Sequence, residues 1–168
     1  MNLEDEGYLL SKRKFRENAN IINIFSQSKG KVSGVVYGGN SRKIRNFLQI
    51  SNKLYIIHTS KSENMLGYFK TELVKPISPM YFNDKKRTSA LTSLCSILNV
   101  LLPEGQPNKI VYRSFEEFLS SINLKNWIFL YLIFSLYLRR FFCLQGWQTS
   151  YQLFPLSHLD IYPKVFLR

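Results

Sequence analysis

With 168 residues, 45% of them hydrophobic, the chain has enough length and apolar content to close a core, which excludes wholesale disorder. Its 23 Lys and Arg against 11 Asp and Glu give a net charge of +12. That surplus favours polyanions, nucleic acid first and an anionic membrane surface second. The two cysteines, Cys95 and Cys143, lie far apart in apolar helical patterns. They supply neither a four-ligand zinc site nor a disulfide framework. The acidic start MNLEDEGY lacks the apolar centre of a secretory signal, so a reducing cytosol is the expected compartment.

In chain order, the first part reads as five short strands. Residues 5–15 form the first, with Leu9 and Leu10 leading into the basic run Lys12, Arg13, Lys14 and Arg16. Residues 19–27 (ANIINIFSQ) concentrate the β-branched and aromatic types that strands favour. Ser28-Lys29-Gly30-Lys31 has the chemistry of a hairpin turn, with Gly30 able to take positive φ. Residues 32–38 return, and Ser33 and Gly34 are small enough to let a barrel wall bend tightly. Residues 38–46 (GGNSRKIRN) read as a loop carrying Arg42, Lys43 and Arg45. Strands at 53–59 and 66–74 follow, joined by the polar residues 61–64, before Pro76 and Pro79 break the pattern. This spacing predicts a small antiparallel closed barrel over residues 1–78.

From Asp84 onward the period becomes helical. Leu91, Leu94, Cys95, Leu98, Leu101 and Leu102 share one face, Asn83 or Asp84 caps the start, and Pro103 stops the end. A second helix over about 109–122 buries Val111, Tyr112, Phe115, Phe118, Leu119 and Ile122. A third, over about 125–142, is too apolar to stand uncovered. Its run WIFLYLIFSLYL falls short of the ~20 residues that cross a bilayer, so it reads as a buried helix. The whole is an α+β chain: a barrel, a partial helical domain at 82–143 and an irregular tail at 144–168.

Catalytic patterns are wanting. His58 lies in a strand pattern and His158 in the tail. No paired carboxylates, HExxH helix or serine elbow accompanies them, and Gly38-Gly39 before Ser41-Arg42-Lys43 lacks the terminal Lys-Ser/Thr of a P-loop. No active site, metal or cofactor is expected. A barrel that holds single strands needs cations along the phosphates and aromatic faces for bases. Phe15, Tyr37, Tyr55 and Tyr68 are the aromatic candidates, although strand aromatics more often pack a barrel. The candidate interface is Lys12, Arg13, Arg16, Arg42, Lys43 and Arg45, with Tyr37. Nothing resembles a helix that reads base edges, so binding should be sequence-independent and salt-sensitive. The competing readings are an RNA- or ribosome-associated barrel and a peripheral membrane protein using residues 127–142 with Arg139 and Arg140.

Four stretches taken together resemble the RecO family of DNA repair and recombination mediators: residues 5–39 (DEGYLLSKRKFRENANIINIFSQSKGKVSGVVYGG), 41–55 (SRKIRNFLQISNKLY), 66–76 (LGYFKTELVKP) and 91–119 (LTSLCSILNVLLPEGQPNKIVYRSFEEFL). Their order and spacing carry the likeness over roughly 4–134, and LPEGQPN is similar to the family's Leu-Pro-Glu turn with a second proline. The resemblance implies an oligonucleotide-binding-fold (OB-fold) barrel with a helical domain behind it. It implies binding of single- and double-stranded DNA, annealing of complementary strands, and help in loading recombinase onto DNA coated with single-strand-binding protein, without covalent chemistry. RecR and single-strand-binding protein are the partners it implies. It places the DNA surface on the basic barrel, at Lys12, Arg13, Arg16, Arg42, Lys43 and Arg45. Two departures stand out. Family members continue well past this chain's end, and the zinc-binding cysteine cluster of many members has no counterpart here. YLIF (131–134) fits the family's third helix, but SLYLRRFFCLQGWQ (135–148) does not. Residues from about Ser135 are therefore expected to be out of frame relative to an ancestral gene, leaving a truncated product that exposes apolar helical surface.

Overall fold

A computed structural model describes residues 2–38, 41–60 and 66–144. Strands β1 (Asn2–Arg16), β2 (Ala19–Ser26) and β3 (Gly30–Tyr37) are followed by helix α1 (Arg42–Phe47), then β4 (Lys53–Thr59) and β5 (Gly67–Lys75). The strands close into a barrel in the order β1-β2-β3-β5-β4, with β4 pairing back on β1. This is the five-stranded OB-fold expected from the sequence. One seam departs from the antiparallel expectation, because β3 and β5 run parallel through Gly34↔Gly67 and Val35↔Tyr68.

Alternation fills the interior. Leu9, Ile22, Ile24, Val36, Leu48, Leu54, Ile56 and Phe69 form one buried cluster, two residues apart wherever a strand contributes twice. Gly34 faces the same space, and a Cβ there would come within 2.6 Å of the Phe69 ring, so the bend anticipated at this position is also a close approach. Gly30 has φ +71° and closes the β2–β3 turn; a Cβ on it would lie 1.9 Å from the carbonyl oxygen of Gln106. Only glycine satisfies both demands.

The stretch read as a loop at 38–46 is corrected by the structure, since Arg42–Phe47 is helical. Ser41 caps it, its hydroxyl accepting the Ile44 N–H at 3.3 Å. Ile44, Phe47 and Leu48 fall at i, i+3 and i+4, a spacing that turns all three toward the barrel core while Arg42 and Arg45 stay exposed.

By its contacts the chain divides after Lys109 into two compact units. Where the sequence groups three helices at 82–143, helix α2 (Lys85–Leu101) belongs to the unit that holds the barrel. Asp84 caps α2 by accepting the Arg87 N–H at 3.0 Å, and Ala90, Leu91, Leu94, Cys95 and Leu98 are buried. The second unit contains α3 (Lys109–Ser121) and α4 (Trp127–Leu144). Val111, Tyr112, Phe115, Phe118 and Leu119 are buried on α3, as the helical period predicts. On α4 the buried residues are Trp127, Leu130, Phe134, Leu138 and Phe142, three or four apart. The Phe134 ring lies 6.2 Å from Phe115 and 5.9 Å from Phe118. The helix runs through Ser135 without a break, and Ile128, Phe129, Leu132 and Leu136 stay exposed on its other side. Among the described residues no helix is long and apolar enough to cross a membrane. Residues 145–168, read as an irregular tail, lie outside the described residues.

Candidate nucleic-acid interface

Strand register sorts the basic run of β1 onto two faces. Lys12 pairs with Ile22, whose side chain is in the core, and Lys14 pairs with Asn20 on the same side. Arg13 pairs with Ile21 and therefore points outward. On the core side, the Lys12 ammonium donates to the carbonyl oxygen of Leu48 at 2.8 Å, at the end of α1. Partial desolvation, and secondarily the nearby Arg45 guanidinium, lower the pKa of Lys12. The fold thus brings Lys12 beside Arg45, thirty-odd residues away in sequence. Arg42 is exposed on the same short helix; Lys43 belongs to it too, with its side chain outside the described atoms.

The outer face is organised in rows across the strands. One row runs Arg13, Ile21, Val35, Tyr68 through β1, β2, β3 and β5. The next runs Arg16, Ala19, Tyr37. Ala19, Ile21 and Val35 form a small buried apolar cluster between the flanking arginines and tyrosines. Arg16 holds its guanidinium 5.3 Å from the centre of the Phe15 ring. Tyr37 and Tyr68 stack at 5.5 Å with 28° between their planes, and they are 53% and 47% exposed. The row on the other side of Ile21, through Ser11, Asn23 and Ser33, is closed off by chain from the same unit. Asn23 donates to the Asn99 side chain at 2.7 Å, Ser33 donates to Glu104 at 2.6 Å, and the Gly105 N–H donates to the Lys31 carbonyl at 2.9 Å.

Two sequence candidates sit apart from this region. Tyr55 donates to the Glu4 carboxylate at 2.8 Å, which raises its pKa, on the β1–β4 wall where Glu6 also pairs with Lys53 at 3.1 Å. That wall is acidic. His58 packs its ring 4.8 Å from Phe69, and its Nε2 is buried without a hydrogen-bond partner among the described residues. Desolvation lowers its pKa. Burial pushes the Cys95 thiol up to about 12, which leaves it protonated and unreactive. Among the described residues no cluster of His, Cys, Asp and Glu could hold a metal ion. The basic and aromatic residue types were legible, but the Tyr37–Tyr68 pairing was missed, because it exists only through the parallel β3–β5 register.

The family model for the N-terminal part of recombination protein O matches residues 1–77, and the model for its C-terminal part matches residues 83–142. The DNA repair protein RecO of a Wolbachia symbiont of Drosophila simulans is 31% identical over 126 residues, covering 75% of this chain and 52% of that one. That of Cereibacter sphaeroides reaches 33% over 128 residues, 76% of this chain and 54% of its own. That of Ehrlichia chaffeensis is 32% identical over 134 residues, 79% and 54% of the respective chains. This chain spans about half the length of the curated relatives it matches. Among solved structures, an Entamoeba histolytica asparaginyl-tRNA synthetase is similar at a TM-score of 0.36 and 14% identity, over 72% of this chain and 32% of that one, too low a likeness to bear on the fold.

Proposed function

Because the chain belongs to the RecO family of DNA repair proteins, we propose that it is a DNA-binding protein of recombinational repair, one that binds and anneals single strands and assists recombinase loading in the cytoplasm. Its work is binding, with no covalent chemistry of its own. Single- and double-stranded DNA are its ligands, and RecR and single-strand-binding protein its partners, as the family implies. The observation that best supports this reading is the gathering of Lys12, Arg42 and Arg45 around α1 at one end of an OB-fold barrel. Two complementary strands repel each other through their phosphates. A cationic surface that displaces their counterions lowers this barrier without reading sequence.

Fluorescence anisotropy with a single-stranded oligonucleotide at two salt concentrations tests the reading. Affinity should fall steeply as salt rises and be indifferent to base sequence. Failure to bind DNA in dilute buffer, or a marked preference for structured RNA, would overturn it.

A further inference from the structure

We propose that Tyr37 and Tyr68 form a base-stacking platform that makes the barrel favour unpaired strands over duplex. The inference rests on the DNA-binding reading above and adds to it a subsite with its own chemistry. Buried aromatic pairs are ordinary core packing. This pair is different, because each tyrosine stays about half exposed while its ring stacks on the other. Two tyrosines left half exposed on a barrel wall present a flat apolar edge that a base can extend. Every base has a π-face, so such a stack tolerates any sequence.

The surroundings match a nucleotide chain. Register places Tyr37 two positions across from Arg16, with Ala19 between them, and Tyr68 three across from Arg13, with Ile21 and Val35 between. At the usual strand spacing of about 4.8 Å the two rows set cations roughly 10–14 Å from the rings. Each row carries a guanidinium at one end and the aromatic stack at the other, with the buried residues Ala19, Ile21 and Val35 between them. The arginines suit phosphate and the tyrosines suit bases. Duplex offers the arginines the same phosphates but keeps its bases stacked on each other, so it gains nothing from the rings. The neighbouring part of the β2–β3 surface is closed by Asn99, Glu104 and Gly105, which leaves the Tyr37 end as the exposed aromatic one.

The test compares an intact oligothymidine, the same strand made abasic, and a duplex of equal length, each titrated against the full chain and against the double variant Tyr37→Ala, Tyr68→Ala. The native chain should bind the intact strand about tenfold or more tighter than the abasic one, as stacking of one or two bases provides. The double variant should lose that preference while its duplex affinity and salt slope hold, and Tyr37→Phe with Tyr68→Phe should retain it. Circular dichroism verifies the fold of each variant. Should the alanine variant not fold, the abasic comparison on the native chain decides alone. Equal affinity for intact and abasic strands overturns the platform and leaves DNA binding standing. Binding to none of the three overturns the functional reading as well.

Discussion

The ammonium of Lys12 donates to the carbonyl oxygen of Leu48 at 2.8 Å, and so ties β1 to the residue that ends α1. A lysine has three donors, so the same group can hold the fold and still face a phosphate. Lys12→Met should therefore cost stability as well as affinity, about 1–3 kcal/mol in urea denaturation for the lost charge-assisted bond. Arg45→Ala, lacking such a tether, should cost affinity with little change in the urea midpoint. Equal stability losses in both variants would dissolve the distinction.

Arg42 and Arg45 are exposed on a helix anchored by its apolar face. Each alanine replacement should weaken binding uniformly across sequences and reduce the salt slope by about 1. Anisotropy titrations over a salt series measure both quantities. A slope unchanged when Arg42→Ala and Arg45→Ala are combined would remove α1 from the interface.

His58 gives the fold a dependence on pH. Desolvation lowers its pKa in the folded chain, so as pH falls the unfolded chain takes up the proton first. The stability this neutral ring allows is complete above about pH 6.5, the unfolded value, and declines as pH drops toward the folded one. Asp5 and Asp84, whose folded pKa values are also lowered, act only below the ordinary carboxylate range, as their charged forms are lost. Thermal melts between about pH 7.5 and 5.5 therefore lie above the range of both aspartates, and comparison with His58→Leu separates the histidine from Glu117, whose pKa desolvation raises. The melting temperature should fall across that window in the native chain and stay nearly level in His58→Leu.

Gly30→Ala should destabilise the barrel unit by more than the ~1 kcal/mol of an ordinary left-handed alanine. The new methyl would meet the Gln106 carbonyl as well as an unfavourable φ. Guanidinium denaturation followed by circular dichroism gives the value. A neutral outcome would mean that the chain around Gln106 yields.

In the second unit, Phe134 is fully buried between the rings of Phe115 and Phe118. Phe134→Ala should cost about 3–5 kcal/mol and bring α3 and α4 down together. Hydrogen exchange on the two helices would show whether they lose protection as one.

Much of this architecture is legible in the residues. Ile22 and Ile24, or Leu54 and Ile56, declare an inward face because alternation has one meaning in a half-buried strand. Ala90, Leu94 and Leu98 do the same for a helix. Strand direction has no such marker, so the parallel seam at Gly34 and Gly67 could not be read, and with it went the Tyr37–Tyr68 stack. Helix α1 was hidden for another reason. Three cations among six residues resemble a solvated loop, and only the barrel end shows that Ile44 and Phe47 have somewhere to go. The Lys12 tether depends on where Leu48 arrives, which local pattern does not encode.

The two ends of β1 carry opposite signs: Glu4, Asp5 and Glu6 near its start, Lys12, Arg13, Lys14 and Arg16 near its finish. Laid out along one extended strand, these groups make a lengthwise electric dipole on the barrel. An approaching polyanion would be pushed away from one pole and drawn toward the other before any contact forms, so its heading is chosen during diffusion. Reversing the two poles while keeping the same net charge would leave the attraction but turn the visitor around.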